Sequence, residues 1–170
     1  AKRQGLLQPI DTPAERWHTL TLDLITGLPP TKNGHDAVAV FVDKFTKLAT
    51  YAPVTKTIDA PGLARVFYEH VYRRYGLPAA IISDRDPRFT GAFWQTLFSL
   101  CGTKLKMSTA YHPMTDGQTE RANRTLIEAL RSYANANHDD WDTHLHLIEF
   151  ANNNTVNAST GQMPFFMAYG

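Results

Sequence analysis

Three carboxylates stand in settings that ordinary structure does not ask for. Asp23 lies inside the alternating run Leu20-Thr21-Leu22-Asp23-Leu24-Ile25, where an aspartate is disfavoured because a strand interior gives a charge little water. Asp84 follows Ile81-Ile82-Ser83, at the C-terminal end of a short apolar run, the end at which open α/β sheets gather ligands. Glu120 falls in the first turns of a long helical stretch. Singly, each has a plain explanation: a capped or ion-paired strand-end Asp, a turn former before Pro87, and a Glu that favours the helix dipole. Together they fit a different chemistry. Between Asp84 and Glu120 lie 35 residues (85–119), enough for one helix, one strand and a loop returning the chain to the same end of a sheet. Carboxylates converging there repel unless divalent cations sit among them. Hard oxygen ligands select magnesium or manganese over zinc. Two such ions clamp the attacking and leaving oxygens of an in-line phosphoryl displacement.

Other candidates carry less. Asp43 follows Ala39-Val40-Phe41-Val42 and could approach the site from a neighbouring strand, while Asp86 more simply organises the Pro87 turn. His144 and His146 stand two apart, but neither a Cys nor a third His completes a zinc set. The single cysteine, Cys101, cannot form an internal disulfide.

The elements that must position these groups are legible in outline. The chain has 170 residues, 43% hydrophobic and 19% charged, with ten Gly and ten Pro. That is the length and composition of one globular domain, which excludes a disordered, collagen-like or coiled-coil description of the whole. No run of roughly 20 apolar residues is present. The formal charge of +1, from 17 basic and 16 acidic residues, says nothing about nucleic acid, so any basic surface must be local. Residues 1–16 show no sustained period and read as a linker. Strand periodicity over 20–25 and apolar β-branched runs over 38–42 and 48–54 predict a β-meander. Asp59 predicts the cap of a helix with Ala60, Leu63, Ala64, Phe67 and Val71 on one stripe, stopped by Gly76 and Pro78. A strand over 79–83, a helix from Thr90 to Gly102, a brief strand over 104–108, a long helix over 116–137 and another over 140–154 complete the order. Strand and helix alternating this way predict an α/β fold with a mixed sheet.

The motifs around the three carboxylates resemble those of retroviral and retrotransposon integrases, whose signature is Asp, then Asp-35-Glu. Further runs narrow the resemblance to the gypsy-type LTR-retrotransposon integrases. These are Leu22-Asp23-Leu24-Ile25-Thr26-Gly27-Leu28-Pro29, Val42-Asp43-Lys44-Phe45-Thr46-Lys47 and Ser83-Asp84-Arg85-Asp86-Pro87-Arg88-Phe89. Tyr111-His112-Pro113, Asp116-Gly117-Gln118-Thr119-Glu120-Arg121-Ala122-Asn123, Ser159-Thr160-Gly161 and Pro164-Phe165-Phe166-Met167-Ala168-Tyr169-Gly170 extend it to essentially the whole chain.

The resemblance implies a ribonuclease-H-like fold with a five-stranded mixed sheet flanked by helices. It implies a polynucleotidyl transferase that trims the element's 3′ ends with water and then joins the new 3′-OH to target DNA, without a covalent enzyme intermediate. Asp23, Asp84 and Glu120 would be the catalytic residues and the ligands of two Mg2+ (or Mn2+) ions. Tyr111, His112, Gln118, Asn123 and Arg124 would meet DNA, although Arg124 could instead pair with Glu120 or Glu128 on the helix surface. Lys44, Lys47, Lys104 and Lys106 are candidates for a DNA path or for plain solvation. Residues 1–16 would be the linker from an N-terminal zinc-binding domain, with 17–170 the catalytic core. Expected partners are double-stranded DNA, both element ends and target, and a second core in a dimer, with no membrane. The apolar faces of 59–75 and 90–101 are the expected pairing surfaces. The expected site of action is the nucleus, after synthesis in the cytoplasm within a polyprotein. Two other functions fit parts of this pattern. A domesticated, non-catalytic binding module would not need three converging carboxylates, and a ribonuclease H would show a fourth carboxylate that is not evident.

Overall fold

A computed structural model describes residues 15–83, 86, 88–89, 91–102, 110–112 and 117–170, with the side chains of 110–112, 117–123 and 125 outside that description. The expected strand over 104–108 lies outside the described residues.

Strands β1 (Thr19–Ile25), β2 (Ala37–Asp43) and β3 (Ala49–Val54) form the antiparallel meander that the alternation predicts. β4 (Ala80–Ser83) pairs parallel to β1, from Thr19↔Ala80 to Leu22↔Ser83. The mixed sheet therefore runs β3-β2-β1-β4. The backbone of a three-residue segment, β5 (Ala110–His112), pairs parallel with the outer side of β4.

Helices cover both faces. Leu20, Leu22, Ala39, Phe41 and Ile81 pack against α1 (Ala60–Phe67) and α3 (Gly91–Cys101) through Leu63, Phe67, Phe93 and Leu97. Ile25, Val38, Val40, Val42 and Tyr51 pack against α4 (Gly117–Asn137) and α5 (Leu145–Asn153) through Leu130, Ala134 and Leu145, with Trp141 between the two helices in sequence. The alternation in β1 thus divides Leu20 and Leu22 from Asp23 and Ile25.

The expected pairing surfaces on 59–75 and 90–101 are corrected by this packing. Their apolar stripes, Leu63, Phe67, Val71, Phe93 and Leu97, are buried in the protein's own core and are not available to a second copy.

Several helix details differ from expectation. Asp59 does cap α1, accepting from the Gly62 amide at 2.8 Å. The helix then passes through a π turn, Tyr68–Tyr72, before its last turn α2 (Arg73–Tyr75). Tyr68 and Tyr72 stack across that turn with ring centroids 5.3 Å apart. The helix expected from Asp140 is a 3-10 segment, His138–His144, leading into α5. A final helix, α6 (Pro164–Tyr169), was not expected; its Pro at the first turn is the local signal for it.

The open edge at β3 is closed by α5. Asn153 accepts the Ala49 N–H at 2.9 Å and donates to the Ala49 carbonyl at 2.9 Å. One turn earlier, Glu149 accepts the Tyr51 N–H at 2.8 Å. Burial pushes the Glu149 carboxyl above its usual range, against the hydrogen bond from Tyr51.

Candidate active site

Asp23 is half-buried on β1, with its Cα opposite Val40 on β2. Val40 belongs to the core beneath α4 and α5, so Asp23 stands on the sheet face that α4 covers. The parallel ladder to β4 ends at Leu22↔Ser83, one residue before Asp23 on β1. The residue after Ser83 is Asp84, which lies outside the described residues.

Glu120 belongs to α4, the helix laid over that same face. It precedes Ile127 by two helical turns, and Ile127, Leu130 and Ala134 pack against the sheet. Its side chain, with those of Gln118 and Asn123, lies outside the described residues. So do the side chains of Tyr111 and His112, whose backbones pair with Ile81 and Ile82 of β4. Arg124 is exposed on α4. Among the described residues, no group of three or more His, Cys, Asp or Glu side chains gathers as a metal site.

The rival carboxylates have other tasks. Asp43 pairs with Leu20, toward the opposite end of β1 from Asp23 and on the other face by alternation. It is fully buried, and its carboxylate accepts from the Thr46 hydroxyl at 2.8 Å and the Thr46 and Phe45 amides. It holds the β2–β3 turn. Asp86 accepts from the amide and the guanidinium of Arg88, each at 2.8 Å. Arg88 in turn donates to the carbonyls of Ile58 and Lys56, so Asp86 organises its turn and docks it on the segment before α1. His144 pairs with Asp140 at 3.4 Å on its own helical segment.

The sequence reading missed a set of long-range contacts to the loop after β1. Arg131 of α4 donates to the Thr26 carbonyl at 2.6 Å, and Trp141 donates to the Pro29 carbonyl at 2.6 Å. Asp142 accepts from the Thr31 hydroxyl at 2.7 Å and meets His35 Nδ1 at 2.6 Å. Burial alone would raise the Asp142 carboxyl, but the hydrogen bonds with His35 and Thr31 help to outweigh it and hold the group below its ordinary value. The partners are more than 100 residues apart in the chain, so no local pattern could have shown them. The only local sign was the Gly and Pro content of that loop, which reads simply as a turn.

No protein-family model matches the chain. Over 164 residues, 96% of its length, it is 38% identical to the Transposon Tf2-3 polyprotein of Schizosaccharomyces pombe, and equally to the Tf2-4 polyprotein. It spans 12% of the length of those relatives. In fold it is similar to the HTLV-2 integrase catalytic core domain, solved with magnesium in a dimeric form, at a TM-score of 0.61 and 17% identity over 91% of this chain and 97% of that one. The catalytic core of BIV integrase aligns at a TM-score of 0.64 and 19% identity, over 89% of this chain and 93% of that one.

The helix-flanked mixed sheet is therefore of the ribonuclease-H-like kind found in retroviral integrase catalytic cores. With the polyprotein relationship added, the chain is similar over nearly its whole length to a part of the Tf2 retrotransposon polyproteins, and its gypsy-type motifs agree with those relatives.

Proposed function

We propose that this core carries out metal-dependent polynucleotidyl transfer, trimming the element's 3′ DNA ends and joining them to target DNA. The observation that carries this reading is the location of Asp23. It is on the α4 side of the sheet, immediately past the last β1–β4 pair, and Glu120 is on the helix covering that side. Asp23, Asp84 and Glu120 are an all-oxygen donor set, which suits hard divalent cations. These three residues would hold two Mg2+ or Mn2+ ions, which when bound would neutralise phosphate charge and activate the attacking oxygen. The chain's own part is to present carboxylates from a rigid strand and a long helix, so that the DNA phosphate meets a fixed arrangement.

On the same reading, Tyr111, His112, Gln118, Asn123 and Arg124 contact DNA. The exposure of Arg124 on α4 supports this for one of them. The partners are double-stranded element ends and target DNA, and a second core in a dimer. β5 is the fifth strand of the ribonuclease-H-like sheet, residues 1–16 are a linker and 17–170 the core, and integration takes place in the nucleus.

The test uses duplex oligonucleotides bearing the element's own terminal sequence. Strand transfer should require Mg2+ or Mn2+ and should vanish in Asp23→Asn, Asp84→Asn and Glu120→Gln proteins that still fold. Millimolar metal should also raise the melting temperature of the wild type and not of these variants. A response lost in Asp43→Asn and kept in Asp84→Asn would show the ligand assignment to be wrong.

A further inference from the structure

The distance between Asp23 and residue 120 depends on how α4 lies across the sheet. Apolar packing of Leu130 and Ala134 holds α4 down, but the hydrophobic effect behind it is non-directional. Directional contacts come from the loop that leaves β1. Thr26, the residue after β1 ends and three after Asp23, has its carbonyl bonded to Arg131 Nη1 at 2.6 Å. The next residue, Gly27, has a φ of +73°, and a Cβ there would stand 3.5 Å from that same nitrogen. Further along, Trp141 holds Pro29, Asp142 holds Thr31 and His35, and the Lys32 amide donates to the Asp139 carbonyl at 2.9 Å. The loop is thus fastened to one continuous stretch, α4 and the 3-10 segment after it.

We propose that Arg131 is a positioning residue for the candidate active site, an inference that rests on the function proposed above. Its guanidinium fixes α4 against the end of the strand that carries Asp23, and so sets the separation at which the carboxylates act. A hydrogen bond from a charged donor is about twice as strong as a neutral one. It is directional, unlike the packing beneath it. Arg131 touches neither DNA nor metal in this role.

The test compares wild type, Arg131→Met, Arg131→Lys and Asp23→Asn. Met keeps an apolar stem of similar length and removes the donor; Lys keeps a donor. Mn2+ alone is titrated by electron paramagnetic resonance, amide exchange is followed across α4 and residues 26–36, and Mn2+-dependent nicking of a supercoiled plasmid gives kcat and KM. Arg131→Met should fold with an unchanged circular dichroism spectrum and exchange faster in α4 and the loop. Its Mn2+ affinity should fall about tenfold, as when a group that orients a metal ligand is removed. Its kcat should fall about tenfold or more with KM for plasmid unchanged, because misplacement of reacting groups costs turnover rather than binding. Arg131→Lys should recover most of both losses. If Asp23→Asn loses Mn2+ while Arg131→Met keeps wild-type affinity and kcat, the role given to Arg131 is overturned and the site stands. A rise in KM alone would make Arg131 a DNA contact and likewise overturn it. If Asp23→Asn binds Mn2+ as the wild type does, the proposed site itself falls.

Discussion

Replacing Asn153 by Ala removes a side chain that replaces a missing strand. Its amide serves both backbone groups of Ala49, each at 2.9 Å. Ala49 is 1% exposed, so water does not readily take over. A buried backbone group left unpaired costs about 1–3 kcal/mol. For the two together we expect a loss of about 3 kcal/mol, allowing some relief at the sheet edge. In a domain of this size that lowers the melting temperature by roughly 6–12 °C. The assay is urea unfolding followed by circular dichroism, with thermal melting alongside. Leu147→Ala, an exposed change on the same helix, should stay within about 0.5 kcal/mol of wild type. Asn153→Asp should also destabilise, since it keeps an acceptor for the Ala49 amide but sets a charged oxygen against the Ala49 carbonyl. If Asn153→Ala unfolds within about 0.5 kcal/mol of wild type at an unchanged urea slope, the edge pairing contributes no stability and the reasoning is refuted.

Two more outcomes follow from the hydrogen-bonded carboxylates. Asp43→Ala should cost about 2–4 kcal/mol by orphaning buried Thr46 donors, while Asp43→Asn should lose less and keep the Mn2+ response. A folded Asp43→Asn protein without that response would contradict the turn-holding role. Asp142 has its folded pKa below the ordinary 3.8, so it stabilises the fold above pH 3.8 and loses that contribution as pH falls through the lower folded value. Asp142→Asn should therefore unfold earlier at neutral pH and flatten the acid limb of a stability–pH curve. An acid limb as steep as that of the wild type would assign the effect elsewhere.

What was legible in the sequence was what depends on near neighbours. The alternation through Asp23 gave β1, the apolar β-branched run after Asp36 gave β2, and Asp59 with Gly76 gave both ends of a helix. The position of Asp23 on the α4 side follows from parity once the sheet order is known, but the order itself rests on β1 meeting β4, a pairing that no window of the sequence contains. The stripes on α1 and α3 were correctly apolar and wrongly assigned, because amphipathicity does not say whether a sheet or another copy covers a face. Of the catalytic set, Asp84 and the side chain of Glu120 lie outside the described residues, while Asp23 and the backbone of α4 lie within them.

The Asn153–Ala49 and Glu149–Tyr51 contacts reach beyond stability. A sheet edge with free amides invites any passing extended segment to add a strand. The relatives carry this region as 12% of a polyprotein, and on such a chain neighbouring segments are tethered at high effective concentration. A helix that supplies side-chain amide and carboxylate groups where a strand would dock removes the invitation without closing the sheet into a barrel. Within a longer chain of that kind, a β3 edge covered in this way would keep its own register beside partly folded neighbours. Asn153→Ala would therefore be expected to misassemble in a longer chain under conditions where the isolated core still folds.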